Sequence, residues 1–290
     1  MSRNEERMNA PDLEPAAEPK PSLPQAQPSK VRDLFSFSTA HTEIVDLPSK
    51  GKFYPQNHPL HNKDYVEIKY MTAAHEDILT NKSLIKKGLA LDRLIQSLFV
   101  DPSIDVTSLL TGDKTAIIIA ARIGGFGSDY STKAQCGACS HVNEKTFDLN
   151  QCEPAEFGFE EAEFVGSSGN FKVTLPKLEV EVECRLMRGE DETQLFNLGE
   201  SKKRNGLPET PSSDFMKKML VSVAGEDEPG KISAFVDYNL PTLDARYLRF
   251  VYSKMNPNMN TLFTFQCSNC EYNNRVDMPM TTDFFWPTVK

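Results

Sequence analysis

The amino-acid sequence predicts an α+β fold, in which a mostly helical body carries short β-hairpins and follows a disordered N-terminal arm. Three observations support this prediction. Apolar residues recur at helical spacing in several stretches between residues 73 and 254. Two C-x-x-C pairs each lie between two short runs of strand-forming residues. Residues 1–40 are rich in Pro, Glu, Ala and Gln, and a segment with so few apolar side chains cannot bury enough surface to offset its chain entropy.

The region from residue 41 to 129 is predicted to begin with two strands. Glu43–Leu47 is short and apolar, and it meets the turn signals Pro48–Gly51. Tyr65–Met71 alternates between apolar and polar residues, as a half-buried strand does. His58 and His61 lie in the loop between the two strands. With no second pair of ligands nearby, they are interpreted as ordinary loop histidines.

Two helices are predicted after these strands. Thr72 is placed to cap a helix that ends at Thr80. Ser83 is placed to cap a longer, single helix whose apolar face extends to Leu98, with charged residues on its opposite face. This pattern is typical of a helix that packs by one side on a core.

A third helix, Thr111–Arg122, is apolar all round in its middle and is therefore expected to be central and buried. Gly124-Gly125 is expected to stop this helix. The run Gly124–Gly127 resembles a phosphate-binding loop in composition. It follows a helix instead of a strand, so a helix stop is the better interpretation.

Residues 151–257 are predicted to form an inserted α+β region that is mostly helical. Two strands, Phe171–Leu175 and Glu179–Leu186, are expected to be joined at Pro176-Lys177. Helices are expected to follow them, and their ranges are Glu192–Lys203, Ser213–Ala224 and Thr242–Lys254.

The two cysteine pairs predict a metal site. Cys136 and Cys139 are expected at the tip of one β-hairpin, and Cys267 and Cys270 at the tip of another. Two C-x-x-C units can supply four thiolates to one tetrahedral Zn²⁺, and such a closed site leaves no coordination position for chemistry. The sequence therefore predicts one structural zinc ion held by these four residues.

The spacing of the two pairs is unusual. A zinc ribbon ordinarily has about 15–20 residues between its pairs. Here residues 140–266 separate them. We therefore expect residues 130–150 and 258–282 to be the two halves of one composite zinc ribbon, split by the inserted region. Residues 283–290 are expected to form an aromatic tail that either packs on the ribbon or contacts a partner.

Three other interpretations of the cysteines remain open. Cys136 and Cys139 have the spacing of the thioredoxin redox motif, although at a hairpin turn instead of a strand-to-helix junction. Each pair could form a disulfide in an oxidising compartment, or the four thiols could carry no ligand. Cys152 and Cys184 have no partner at metal-ligand spacing and are interpreted as small buried hydrophobes.

The charge of the chain argues against nucleic acid as a partner. The net charge is −9, with 41 acidic and 32 basic residues, so the overall field repels a phosphate backbone. The ribbon halves offer only Lys133, Lys145 and Arg275, without the interleaved basic and aromatic side chains that bind single strands. A zinc-ribbon regulator that binds nucleic acid is therefore the alternative interpretation.

Enzyme and membrane signals are absent from the sequence. It contains no G-x-S-x-G, H-E-x-x-H, P-loop or dinucleotide fingerprint. The glutamates within Glu160–Glu163 and Glu179–Glu183 are interpreted as solvated strand faces, and the apolar run Ala116–Ala121 is too short to cross a bilayer. The charged start Met1–Arg7 and the metal-type cysteine spacing indicate a reducing, cytoplasm-like compartment. We expect a protein that is not an enzyme and binds neither membranes nor a small-molecule substrate.

Several stretches together resemble a known family. They are Leu47–Pro55, Ile68–Thr72, Leu109–Asp113, Arg122–Gly127 with Tyr130, the two cysteine pairs and Phe284–Pro287. This combination resembles the baseplate hub and hub-assembly proteins of T4-like contractile-tailed bacteriophages, over about residues 43–152 and again from the second cysteine pair onward.

The resemblance implies a role in building the central hub of the tail baseplate. The protein would be a hub subunit or an assembly factor, with other hub proteins as its partners and without enzymatic activity. It would act in the cytoplasm of the infected host cell during assembly, and a hub subunit would stay in the tail baseplate of the virion.

Overall fold

The computed structural model describes residues 41–278, 280 and 282–285; the expected arm, residues 1–40, lies outside them. The helices are α1 (Ala73–Leu79), α2 (Lys82–Lys86), α3 (Ala90–Leu98), α4 (Thr111–Phe126), α5 (Gly189–Arg204), α6 (Pro211–Met219), α7 (Pro229–Ala234) and α8 (Thr242–Met255). The strands are β1 (Thr42–Asp46), β2 (Tyr65–Lys69), β3 (Asp129–Gln135), β4 (Val142–Asp148), β5 (Ala162–Val165), β6 (Asn170–Thr174), β7 (Glu181–Arg185), β8 (Leu220–Val223), β9 (Leu262–Gln266) and β10 (Asn273–Asp277). The predicted α+β class is confirmed.

The strands pair with their neighbours in sequence, always antiparallel. Strands β1 and β2, β3 and β4, and β9 and β10 form three two-stranded hairpins. Strands β5 to β8 form one four-stranded sheet in sequence order. Each cysteine pair therefore lies between the two strands of a hairpin, as predicted, and these hairpins are β3–β4 and β9–β10.

Helix α4 lies in the main hydrophobic core. Its Ile117 is fully buried, together with Leu94 of α3 and Val251 of α8. Tyr130 and Phe147, from the first cysteine hairpin, belong to the same core. None of the helices in the described part of the chain combines the length and apolar character that crossing a bilayer requires.

The single helix predicted after Ser83 is two helices. The Asn81 side chain caps the first, α2, because its Oδ1 accepts hydrogen bonds from Ser83 N at 3.0 Å and Leu84 N at 3.2 Å. Gly88 then adopts a φ of +69°, a left-handed conformation that ends a helix and favours glycine. The prediction of one helix with Ser83 as its cap is wrong because the apolar periodicity continues across this break.

Gly124 and Gly125 lie inside α4 instead of stopping it. The helix continues to Phe126. A Cβ atom on Gly124 would come within 3.2 Å of the Glu43 carboxylate, and one on Gly125 within 3.0 Å of the Met71 sulfur. The predicted stop is wrong because the glycines serve close packing of the β1–β2 region on the last turn of the helix.

The inserted region contains more strand than the sequence predicts. Residues Leu220–Val223, expected at the end of a helix, form β8 because α6 ends at Met219. Val223 lies opposite Val182 of β7, so the β-branched residues continue the sheet. Strand β5 is likewise absent from the predicted strands.

Two of the stretches that carry the resemblance meet in a buried polar network. Asp113, fully buried in the first turn of α4, accepts hydrogen bonds from Ser49 N at 2.9 Å, Ser49 Oγ at 2.6 Å and the Tyr54 hydroxyl at 2.8 Å. Tyr54 in turn accepts one from Leu110 N at 3.0 Å. Burial raises the pKa of Asp113, against the opposing effect of the Ser49 and Tyr54 donors.

The part of the aromatic tail that is described packs inward. Phe284 and Phe285 are fully buried. The Phe284 ring packs edge-on against Tyr130 of β3 at 4.8 Å, and the Phe285 ring packs against Phe126 of α4 at 6.3 Å. Trp286 lies outside the described residues.

Candidate metal centre

The four predicted cysteines lie together although the two pairs are far apart in sequence. The Sγ atoms of Cys136 and Cys270 are 3.7 Å apart, and those of Cys139 and Cys267, which are 128 positions apart in the chain, are also 3.7 Å apart. All four sulfurs lie within 4.8 Å of one another. Each close contact joins one hairpin to the other, so the cluster requires the two hairpins to dock.

Both cysteine pairs are built on the same backbone turn. In the first hairpin, Ser140 N donates to Cys136 O at 2.9 Å, and in the second, Glu271 N donates to Cys267 O at 3.0 Å. Ser140 and Glu271 have φ angles of 58° and 57° and occupy equivalent positions in the two turns. The sequence therefore folds into the same local structure twice.

The sulfur separations fit a tetrahedral metal site. Four sulfurs bound to zinc at about 2.3 Å are about 3.8 Å from one another. The two contacts of 3.7 Å agree with this value, and the widest separation is within 4.8 Å. A disulfide would bring two sulfurs to about 2.05 Å, and all the cysteines are free. The arrangement can hold a metal ion.

N–H donors point at two of the sulfurs. Cys267 Sγ accepts from Asn269 N at 3.4 Å and Asn143 Nδ2 at 3.7 Å, and Cys139 Sγ accepts from Asn269 Nδ2 at 3.6 Å. Burial raises the pKa of the Cys267 thiol, but hydrogen bonds from the Asn269 and Cys270 backbone and from Asn143 outweigh it and lower the pKa to about 6. These donors favour the thiolate, which is the form that binds metals.

Asn143 is a site residue that the sequence reasoning missed. Its buried side chain lies on β4, and its Oδ1 accepts from Ser268 N at 2.8 Å and Ser268 Oγ at 2.7 Å. A repeat could have revealed it, because both halves read C-x-x-C-x-x-x-N, ending at Asn143 and Asn274. In the strand registers Asn143 lies opposite Ala134 and Asn274 lies opposite Phe265, at equivalent positions of the two hairpins.

Apolar contacts support the docking of the hairpins. A small cluster beside the sulfurs has as its buried members Ala134, Cys136, Phe265 and Cys267. Nearer the main core, the rings of Phe147 on β4 and Phe263 on β9 lie 4.6 Å apart. The two hairpins therefore meet along their length and not at the cysteines alone.

The other candidate ligands take structural positions. Burial raises the pKa of Cys184 to about 12 and that of Cys152 to about 11. Cys184 is buried in the main core, as predicted, whereas Cys152 is only half-buried and packs against the edge of that core. His58 stacks on the Tyr54 ring at 4.4 Å, and His61 Nδ1 lies 2.7 Å from the Tyr54 carbonyl oxygen. Among the described residues, no second group of three or more metal-ligating side chains converges.

Two glutamates of the inserted region contact a basic and a hydroxyl side chain at the surface. Glu181 of β7 forms an exposed ion pair with Lys172 of β6 at 2.7 Å. Glu161 accepts a hydrogen bond from the Tyr247 hydroxyl at 2.7 Å. Glu163 and Glu181 lie exposed on strands, as predicted. The predicted strand face is wrong for the others, because Glu160, Glu161 and Glu179 lie in turns or loops and Glu183 is half-buried against Asn170.

Fold and site together define a mixed α+β protein whose two similar hairpins bring four cysteines into one cluster. The chain belongs to the T4 bacteriophage base plate protein family, which matches residues 39–286. The resemblance to baseplate proteins of T4-like phages is thereby confirmed. Comparisons with curated proteins and with solved structures found no match.

Family membership defines the setting in which the protein acts. It is a phage baseplate protein, so it belongs to the tail and its partners are other proteins of the phage tail. A baseplate family points to a structural and not an enzymatic role.

Proposed function

We propose that this protein acts in the central hub of the baseplate, as a hub subunit or hub assembly protein, and is a non-catalytic scaffold stabilised by one Zn²⁺. The convergence of four sulfurs from two hairpins supports the zinc-stabilised scaffold. The hub assignment is supported by membership of the baseplate family together with the resemblance of the stretches named above to hub proteins. A site closed by four cysteines leaves no coordination position for a substrate. The ion therefore stabilises shape, and the protein works through protein–protein contacts.

Zinc is the ion that suits this ligand set best. Cys136, Cys139, Cys267 and Cys270 would hold it as thiolates. Soft sulfur ligands in a tetrahedral arrangement favour Zn²⁺ over hard ions such as Mg²⁺ and Ca²⁺. Since metal-binding free energy contributes to folding free energy, the ion would stabilise the docked hairpins.

The ion would act as a cross-link between distant parts of the chain. Residues 130–150 and 258–282 form the composite ribbon in this proposal, and they enclose the inserted region, residues 151–257. Tyr130 and Phe147 already anchor the first hairpin in the main core. Joining the second hairpin to it fixes both ends of the insert, which then presents a constant surface to other hub proteins. The arm, residues 1–40, is the proposed additional contact, since Phe284 and Phe285 of the aromatic tail are buried in the protein itself.

Co-expression with the other tail proteins of the same phage tests the hub assignment. A tagged copy of this chain should co-purify with hub proteins and carry one zinc ion per chain. Recovery as a monomer that binds no tail protein would overturn the hub assignment, whereas a pure protein without metal would overturn the zinc assignment. Affinity for DNA or RNA that falls steeply with salt would instead favour the regulator interpretation.

A further inference from the structure

We infer that Asn143 is a positioning residue of the cysteine cluster, which joins the two hairpins and orients the Cys267 sulfur for the metal. This inference rests on the proposed metal site. Asn143 lies on β4 in the first hairpin, yet it forms hydrogen bonds with Cys267 and Ser268 of the second. The Ser268 contact spans 125 positions of sequence.

The Asn143 amide uses its full hydrogen-bonding capacity. Its Nδ2 donates to the His141 carbonyl oxygen at 3.1 Å and to Cys267 Sγ at 3.7 Å. Its Oδ1 accepts both hydrogen bonds from Ser268, at 2.8 and 2.7 Å. An amide has two N–H donors and two acceptor lone pairs, so no capacity remains. Rotating the amide by half a turn would place Oδ1 beside the His141 carbonyl oxygen and Nδ2 beside the Ser268 N–H. Both contacts would be repulsive, so the hydrogen-bond partners fix the orientation of the amide.

A second asparagine makes the reciprocal contact but is exposed. Asn269, in the second hairpin, donates to Cys139 Sγ in the first at 3.6 Å. Asn143 is only 4% exposed. Water can replace the Asn269 contact, whereas loss of the Asn143 side chain removes a donor from the buried Cys267 sulfur at a place that water does not reach, which costs more. Asn143 therefore contributes more to the site than Asn269.

This arrangement prepares the cluster for an ion. The hydrogen bonds of Asn143 hold the hairpins together independently of a metal, which lowers the entropy cost of bringing four distant ligands to one ion. The N–H donor to Cys267 Sγ also stabilises the negative charge on that sulfur. Removing a group that orients a metal ligand typically lowers metal affinity by about 10–100-fold.

The test compares full-length wild type with Asn143→Ala, Asn143→Asp, Ser268→Ala and Asn150→Ala. The aspartate keeps the acceptor for Ser268 but cannot donate to sulfur. Asn150 is exposed and follows the same strand, so its variant is the matched control. Zinc affinity is measured by competition with a chromophoric chelator, and absorption spectra are recorded at saturating Co²⁺.

Both Asn143 variants should bind zinc about 10–100-fold more weakly than wild type. Ser268→Ala should show a smaller loss because its backbone N–H still donates, and Asn150→Ala should match wild type. In Asn143→Asp the sulfur-to-cobalt charge-transfer band should move to longer wavelength, since loss of the N–H donor raises the energy of the sulfur electrons. A residue that only supported the fold would leave this band unchanged.

The possible results separate this inference from the metal site itself. Zinc affinity and cobalt spectra equal to wild type in both Asn143 variants would overturn the role of Asn143 and leave the metal site standing. A wild-type chain that binds neither ion would overturn both. If the Asn143 variants do not fold, the Ser268→Ala variant provides the test, because Ser268 is exposed and its replacement disturbs the fold less. Zinc affinity equal to wild type in Ser268→Ala would then overturn the inference.

Discussion

The guanidinium of Arg122 donates a hydrogen bond from Nε to the carbonyl oxygen of Phe284 at 2.8 Å, across 162 positions of sequence. Its other nitrogens donate to the carbonyl oxygens of Gly127 and, at 2.9 Å, Asp129. The side chain is fully buried and lies over the rings of Phe126 and Phe284. One buried cation therefore joins helix α4, the start of the first cysteine hairpin and the C-terminal aromatic residues.

Arg122→Lys should destabilise the protein, because a single ammonium group cannot reproduce the planar fork that reaches three carbonyls. Hydrogen bonds to a charged group contribute about 1.5–3 kcal/mol, so we expect a loss of about 2–3 kcal/mol in unfolding free energy. Urea denaturation measures it. Arg93→Lys, at an exposed position of α3, is the control and should leave the midpoint unchanged. Equal midpoints for both variants would contradict a structural role for Arg122.

Replacing Cys136 and Cys267 together by serine should remove the metal and most of the folded protein. Each hairpin loses one ligand, so the ion binds too weakly to be retained. Because metal-binding free energy contributes to the free energy of folding, loss of the ion also destabilises the fold. Metal content by mass spectrometry and far-ultraviolet circular dichroism measure the two losses. Cys152→Ala, outside the cluster, should keep its metal. A double variant that retains a full complement of zinc would show that these residues are not the ligands.

Asp191→Asn should loosen the start of α5. Asp191 accepts from two nitrogens of Arg185 at 2.5 and 2.9 Å and from Arg188 N at 3.0 Å. Burial raises the pKa of Asp191, but these hydrogen bonds outweigh burial and hold the pKa below its usual value. The stabilisation is therefore complete above the unfolded-state pKa, about 3.9, and is lost as pH falls through the lower folded-state pKa.

Urea denaturation at several pH values tests this linkage. At pH 7 Asp191→Asn should lower the unfolding free energy by about 1–3 kcal/mol. The difference from wild type should shrink as the pH falls from about 3.9 through the lower folded-state pKa. Glu190→Gln, an exposed change in the same turn, is the control and should have little effect. A difference between Asp191→Asn and wild type that stays constant into acid would disprove the charge-based explanation.

Two glycine-to-alanine changes should act in opposite directions. A Cβ on Gly112 would lie 1.8 Å from the Pro257 carbonyl oxygen, so Gly112→Ala forces α4 and that loop apart and should cost about 1–3 kcal/mol or more. A Cβ on Gly199 in α5 meets nothing within 4 Å, so Gly199→Ala should stabilise the helix by about 0.5–1 kcal/mol. Thermal unfolding measures both. A Gly112→Ala protein as stable as wild type would mean that the loop moves freely.

Sequence patterns predicted the local structure around the cysteines well. The short runs of strand-forming residues on both sides of each pair predict the hairpins, because strand and turn preferences act between immediate neighbours. The same reasoning failed at Gly88, where a left-handed turn splits a periodic stretch, and at Leu220, where a helical pattern gives way to a strand. In both places the apolar pattern fits either structure, and packing decides between them.

The sequence by itself determined the hairpins, the positions of the four cysteines on them and the apolar central helix, since each is a property of neighbouring residues. The count and spacing of the cysteines also predicted that the two pairs share one site, but only the tertiary structure decided that Asn143 reaches Ser268 and that Arg122 reaches Phe284. Those contacts join positions more than a hundred residues apart. They depend on how the whole chain packs, and a local pattern of apolar and polar residues does not specify which distant surfaces come together.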